Sequence, residues 1–211
     1  MHYQGKPIDA LILDLGGVIL NIDYQRPIEA FKKLGLDDFG AHFTQAAQTK
    51  LLDDYETGKI SSSEFIDDLR PLVKPGTSDE DIIDAWNSIL LDLPPERLEA
   101  LDRLSEKYRL FLLSNTNDLH IECFNADLLD EHQLPSLEPF FETLYYSYEV
   151  GLRKPDPAIF NYIIEEAGLN PERTLFVDDS KQHIESAMQL GLQVHWLQPG
   201  TLLEFIDQAS L

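Results

Sequence analysis

The chain predicts an α/β protein: a Rossmann-like parallel sheet core carrying an inserted α-helical cap. Short apolar runs alternate with segments of helical spacing over most of its length, as in a doubly wound sheet. That alternation stops once, between residues 21 and 92, where helical spacing continues without a convincing strand. Polar residues follow the predicted strands at once, at Asp14, Ser114 and Asp178-Asp179. Open α/β sheets bind ligands outside the carboxyl ends of their strands, so these residues are the place to look for chemistry.

The first strand is Ile8–Leu13, which stops at Asp14 and runs into Leu15-Gly16-Gly17-Val18. A Gly pair after a buried strand makes a tight turn whose Gly16 and Gly17 amides can bind an anion. The carboxylate beside them can bind a cation or attack an electrophile. Residues 1–20 and 93–211 are expected to form the core, and residues 21–92 the cap. Within the cap, Arg26–Leu34, His42–Tyr55, Ser62–Leu72 and Ser78–Leu91 have helical spacing, broken at Gly35, Gly58 and Pro75-Gly76. Ser61 or Ser62, and Ser78, are the expected N-caps. Such a module over an open crevice excludes water and selects substrate. Asp23, Tyr24, Arg26, His42 and Tyr55 are candidates to face substrate from it, and helical phase does not choose among them.

The core resumes with a helix over Pro95–Lys107, a strand over Tyr108–Leu113 and the turn Ser114-Asn115-Thr116-Asn117 before a helix over Asp118–Leu129. A strand over Thr143–Tyr148 leads to Gly151-Leu152-Arg153-Lys154-Pro155-Asp156-Pro157. There Pro155 pushes Lys154 into an extended conformation, Asp156 caps the next helix and Pro157 fits its first turn. Helix Ala158–Ala167, strand Thr174–Val177, the acids Asp178-Asp179, helix Lys181–Leu190 and strand Gln193–Leu197 complete the order. Gly168 and Gly191 stand where helix C-caps belong.

Composition narrows the function. At 211 residues and 43% hydrophobic residues the chain suits one globular domain with an inserted module. With 16 Lys+Arg against 38 Asp+Glu, its net charge of −22 repels nucleic acid and anionic membrane, and neither is an expected partner. A small anionic substrate then needs local positive charge from a metal or a placed lysine. Cys123, the one cysteine, excludes an intramolecular disulfide and is expected as a packed helical thiol. There is no charged-then-apolar leader and no apolar stretch near the ~20 residues of a membrane span, so a cytoplasmic protein is expected. Monomer and dimer both remain open.

Asp14, Asp178 and Asp179 would crowd three carboxylates into one cleft, which is unfavourable without a cation. The ligands are hard oxygens and no His or Cys cluster competes, so Mg²⁺ is the expected ion. Metal, Lys154, Ser114 and the glycine amides together suit a phosphoryl group that Asp14 attacks in line.

Asp-Leu-Gly-Gly-Val-Ile, Leu-Ser-Asn-Thr-Asn-Asp-Leu-His, Gly-Leu-Arg-Lys-Pro and Asp-Asp-Ser-Lys-Gln-His-Ile, in this order, resemble the motifs of the haloacid dehalogenase superfamily over nearly the whole chain. They look like those of a bacterial subgroup acting on sugar phosphates, including enzymes resembling α-D-glucose-1-phosphatase. The resemblance implies a Mg²⁺-dependent phosphatase of a small phosphomonoester that passes through an aspartyl-phosphate on Asp14. It places the substrate on Leu15, Gly16, Ser114, Asn115 and Lys154, with Asp14, Lys154 and Ser114 catalytic. It places the metal on Asp14, the Gly16 carbonyl and Asp179, with Asp178 behind or alternating. Strand order, too, comes only from the resemblance.

Gly16 departs from the pattern. Most phosphatases of this family carry an Asp there as general acid and base, a contribution of roughly 10²–10⁴-fold. Three readings follow: a phosphatase whose leaving group is easily expelled or whose acid lies elsewhere, a 2-haloacid dehalogenase-type hydrolase, or a non-catalytic phosphometabolite-binding protein. His120, just beyond Ser114-Asn115, is a candidate surrogate acid.

Overall fold

A computed structural model of the chain describes residues 2–42, 50–209 and 211. It opens with a small antiparallel hairpin, β1 (His2–Tyr3) and β2 (Lys6–Pro7), too short to have been legible in the sequence. The main sheet consists of β3 (Ala10–Leu13), β4 (Arg109–Ser114), β5 (Thr143–Tyr146), β6 (Thr174–Asp178) and β7 (Gln193–Trp196). Its order is β5-β4-β3-β6-β7, and every neighbouring pair is parallel. The strand bearing Asp14 is therefore central, with Leu13 in register with Leu112 on one side and Val177 on the other.

Both faces are covered, which is why the strands read as almost unbroken apolar runs. Leu11, Leu13, Leu110, Leu112, Leu175 and Val177 pack on one face against α6 (Pro95–Ser105), α7 (Asp118–His132) and the C-terminal α11 (Leu202–Ala209). Alternate residues Ala10, Ile12, Phe111, Leu113 and Phe176 pack on the other against α9 (Pro157–Glu166) and α10 (Lys181–Gln189). The expected strand over Thr143–Tyr148 stops at Tyr146. There Ser147 bonds through its side chain to the Thr116 amide and carbonyl, 2.9 and 3.0 Å, and the chain turns into α8 (Ser147–Val150). Gly168 and Gly191 fall just past their helices in the left-handed region, with φ of 59° and 85°.

Between β3 and α6 lie α1 (Gln25–Lys33), α2 (Phe39–His42), α3 (Lys50–Glu56), α4 (Ser62–Leu69) and α5 (Asp79–Asn87). Of the expected helix over His42–Tyr55, residues 43–49 lie outside the described residues, as does the His42 side chain. The helix expected to reach Leu72 ends at Leu69 and continues as a 3₁₀ turn over Arg70–Leu72. The one expected to reach Leu91 ends at Asn87, because Ile22 pairs with Leu90 across the entry and exit of the segment. Ser61, not Ser62, caps α4, in a capping box with Glu64, and Ser78 does the same with Asp81. These helices bury a cluster of their own around Phe31, Phe65, Tyr55 and Trp86.

The two chain crossings are laced together. Asp23 N–H donates to Ile89 O at 3.0 Å, and Leu91 N–H to Asn21 O at 3.0 Å. Arg97, buried on α6, donates to the Ile19 carbonyl and to Asn21 Oδ1, each at 2.8 Å, and so ties the turn after β3 to the core. No helix among the described residues is long and apolar enough to cross a membrane. Cys123 is half-buried on α7 rather than packed, with Asp127 one turn along.

Candidate active site

Asp14 follows β3 directly, its amide still bonded to the Val177 carbonyl at 3.1 Å, so the sheet aims its carboxylate at the carboxyl edge. The turn behind it closes by Gly17 N–H donating to Leu20 O, 2.8 Å, with Gly17 at φ 76°. That left-handed geometry favours glycine, and any Cβ there would collide with the Asp179 carboxylate. The expectation that the Gly17 amide binds an anion is thus corrected: the turn itself consumes it. The Leu15 amide likewise donates to Asp14 Oδ1, at 2.7 Å.

Lys154 is fully buried, and its ammonium lies 2.9 Å from Asp14 Oδ1, 2.7 Å from Asp178 Oδ2 and 2.8 Å from the Leu113 carbonyl. Three acceptors suit the three donors of an ammonium. Burial opposes its charge, but Asp14 and Asp178 outweigh that and hold its pKa above the ordinary lysine value. Asn115 positions it: its Oδ1 accepts from Lys154 N–H at 2.9 Å and its Nδ2 donates to Lys154 O at 2.8 Å. The Asn115 side chain, expected on the substrate, is instead engaged with the lysine backbone. Ser114, the last residue of β4, lines the pocket beside Asp14.

The two adjacent acids differ sharply. Asp178 is completely buried, accepting from Lys154, from Ser180 N–H at 2.7 Å and from His183 Nδ1 at 3.0 Å. Lys154 and His183 overcome its burial and push its carboxyl well below the usual range. Asp179 is half-buried and lines the pocket with Asp14 and Gly16. His183 amends the view that no histidine competes, since donor atoms of Asp14, Asp178 and His183 lie within 4.8 Å of one another. Asp178 Oδ1 and Oδ2 already accept from a lysine, an amide and this imidazole, so the pair reads as a brace for Lys154. Burial, with Asp178 and Asp179 nearby, drives the Asp14 carboxyl well above its ordinary pKa despite Lys154. Three carboxylates around one lysine are an excess of negative charge with oxygen donors, the environment a hard divalent cation fits.

Around this centre a cleft of about 750 Å³, counted to its open mouth, is lined by Leu20, Ile22, Ile89 and Leu90 and by Tyr24, Glu56, His120 and Arg153. Of the cap candidates, Tyr24 reaches it. Asp23 accepts from Gln25 N–H at 2.8 Å at the start of α1, Arg26 is exposed, and Tyr55 is buried with its hydroxyl donating to Asp118 at 2.7 Å. A Cβ on Gly16 would stand 3.0 Å from Ile22 Cδ1, so a side chain there would need that apolar tip to give way slightly.

His120 ties α7 to α5. Its ring stacks on Trp86 at 4.7 Å, Nδ1 faces Asn117 Nδ2 at 3.1 Å and Nε2 faces the Trp86 carbonyl at 3.3 Å. An amide donor at Nδ1 and a carbonyl at Nε2 select the neutral Nε2–H tautomer, with both nitrogens occupied. Burial, against the Trp86 carbonyl, takes its pKa down to about 4, so it is uncharged at neutral pH and poorly placed as an acid. A histidine depressed by folding binds fewer protons folded than unfolded. Its stabilisation is complete above the unfolded value near ~6.5 and is lost as pH falls toward the folded one. The melting temperature of wild type minus that of His120→Gln should therefore shrink between those two values, and thermal scans at stepped pH check it.

Sequence reasoning missed Glu56, Arg153, His183 and Arg97. The segment Gly151–Pro157 did display Arg153 beside Lys154, and the motif Asp-Asp-Ser-Lys-Gln-His-Ile contained His183.

The parallel sheet thus gathers Asp14, Asp178 and Asp179 at its carboxyl edge around the buried Lys154. The chain belongs to the haloacid dehalogenase-like hydrolases, whose family model matches residues 8–191. It is 32% identical over 186 residues to a D-ribitol-5-phosphate phosphatase of Bacteroides thetaiotaomicron, covering 88% of this chain and 90% of that protein. Among solved structures it resembles a HAD-family enzyme from Bacteroides thetaiotaomicron, an aspartate-to-alanine mutant in complex with magnesium and inorganic phosphate. The TM-score is 0.84 and identity 38%, over 89% of this chain and 93% of that one. A predicted HAD-like hydrolase from Porphyromonas gingivalis matches at TM-score 0.79 and 30% identity, over 90% of each chain.

Proposed function

We propose that the protein is a Mg²⁺-dependent phosphatase of a small sugar or sugar-alcohol phosphate, with Asp14 as nucleophile. The observation that carries this is the Asp14 carboxylate at the pocket edge, 2.9 Å from the buried Lys154 ammonium. The named phosphatase relative and the magnesium and phosphate complex of the neighbour support it. Residues 1–20 and 93–211 form the catalytic core in this reading, and residues 21–92 the cap.

In the reaction, an Asp14 oxygen forms a bond to phosphorus as the ester P–O bond breaks, and the electron pair leaves with the alcohol oxygen. Water then attacks the phosphorus of the aspartyl-phosphate, freeing inorganic phosphate and Asp14. Lys154 holds Asp14 in line and faces the phosphoryl oxygens with Ser114. Asp14, Asp179 and the Gly16 carbonyl are the groups that would hold Mg²⁺, which supplies charge neutralisation for the phosphoryl oxygens. Position 16 contributes no proton, and neither does His120 in the tautomer its partners select, so the leaving oxygen takes its proton from water or another pocket group.

Multiple-turnover phosphate release from a panel of sugar and sugar-alcohol phosphates tests the reading. Release is expected with Mg²⁺, dropping by roughly 10²-fold or more in EDTA as several kcal/mol of charge stabilisation is withdrawn. An unchanged rate in EDTA, or chloride release from 2-chloropropionate in its place, would overturn it. Binding without turnover would mark the phosphometabolite-binding alternative.

A further inference from the structure

We infer that Glu56, held by Arg153, is the specificity-determining group of this pocket: it takes hydrogen bonds from hydroxyls of the leaving group and selects neutral polyhydroxylated phosphomonoesters over those bearing a second anion. The inference rests on the phosphatase reading and goes beyond it in assigning the group that meets the leaving group.

Glu56 ends α3 and is buried, yet its side chain lines the same cleft as Asp14. Arg153 comes from the core side, with Nη2 at 3.0 Å from Glu56 Oε2 and Nη1 paired with Asp53. Asp53 and Glu56 are three residues apart on one helix and so share a face, and a planar guanidinium can engage both. Two consequences follow. Arg153 already faces two carboxylates, so its charge is not available to attract a carboxylate or second phosphate on the substrate. Such a group would also meet Glu56 itself, a like charge in a partly desolvated wall.

A carboxylate has about four acceptor sites, and a bond from a hydroxyl to an ionised acceptor is a strong one. The apolar stretch of Leu20, Ile22, Ile89 and Leu90 lies along the same cleft and suits a carbon backbone. Arg153 also directly precedes Lys154. One dipeptide therefore serves the cleft twice, Lys154 on Asp14 and Arg153 on Glu56. Specificity is also sharpest where a polar site would be left unpaired by the wrong ligand.

The test compares wild type, Glu56→Ala and Glu56→Asp on ribitol 5-phosphate, p-nitrophenyl phosphate and phosphoglycolate, with Mg²⁺. Glu56→Ala should lower kcat/KM for ribitol 5-phosphate by roughly 10–100-fold, mainly through KM, as expected for lost bonds to a charged acceptor. The same variant should keep p-nitrophenyl phosphate turnover within about threefold and gain on phosphoglycolate, because Arg153 loses a competing carboxylate. Glu56→Asp, which retains the charge with shorter reach, should fall between. Equal losses on ribitol 5-phosphate and p-nitrophenyl phosphate would show that Glu56 only props the cap, and no loss on ribitol 5-phosphate would refute its contact with substrate. Wild type turning over p-nitrophenyl phosphate keeps the phosphatase reading standing in either case, whereas its failure on every phosphate ester removes both.

Discussion

Asp14→Asn is expected to abolish phosphate release while making the protein more heat-stable in EDTA. The amide cannot attack phosphorus, and loss of a nucleophile of this kind costs about 10⁴-fold or more in kcat. The stability gain follows from the charge balance. Folding raises the Asp14 carboxyl pKa, through burial and through Asp178 and Asp179, against the pull of Lys154. A raised acid is stabilising while protonated and loses that contribution as pH climbs through its folded value. Ionising Asp14 is therefore costly to the fold, and a neutral isostere removes that cost. The gain should read as a higher melting temperature for Asp14→Asn than for wild type in thermal scans in EDTA. Mg²⁺ should stabilise wild type more than the variant, since one of its carboxylates is gone. A lower melting temperature for Asp14→Asn in EDTA would show that the Lys154 contact outweighs the crowding.

Lys154→Met should be the most damaging single change for stability. The ammonium is fully buried between Asp14 and Asp178, and methionine fills its space without its charge. Removing one partner of a buried pair typically costs about 3–5 kcal/mol, because the remaining charge is left uncompensated. That corresponds to roughly 6–20 °C at this length, alongside a loss of about 10²–10³ in kcat from the missing phosphoryl contact. Adding Asp178→Asn should recover part of the stability and none of the activity, since the orphaned carboxylate is the source of the cost. A double variant as unstable as the single would place the damage in packing instead. Thermal melts and phosphate release on the same three preparations decide it.

Much of this site was legible in the chain. Asp14, Ser114 and Asp178 stand at or just past their strand ends, as the apolar runs indicated, because a buried parallel strand and the turn after it are local features. The capping serines and the C-terminal glycines were readable for the same reason. Alternation alone could not order the strands, since it says which segments are strands and nothing about their neighbours. The division of labour between Asp178 and Asp179 was equally hidden: successive strand residues face opposite ways, but what each meets there depends on α9, α10 and the loop that carries Lys154.

Gly16 shows the boundary well. The sequence by itself established that no acid follows Asp14 by two residues. Only the tertiary structure showed that the tip of Ile22 packs against that position. Likewise the chain determined the strands, the caps and the set of strand-end acids and lysine, all governed by short-range periodicity and turn chemistry. The fold decided the rest: a lysine buried against a carboxylate far away in sequence, a histidine locked as a neutral strut, and a glutamate at the end of α3 paired with the residue before Lys154. Those outcomes depend on which distant groups are brought together as water is excluded, and desolvation and charge pairing act only through that proximity.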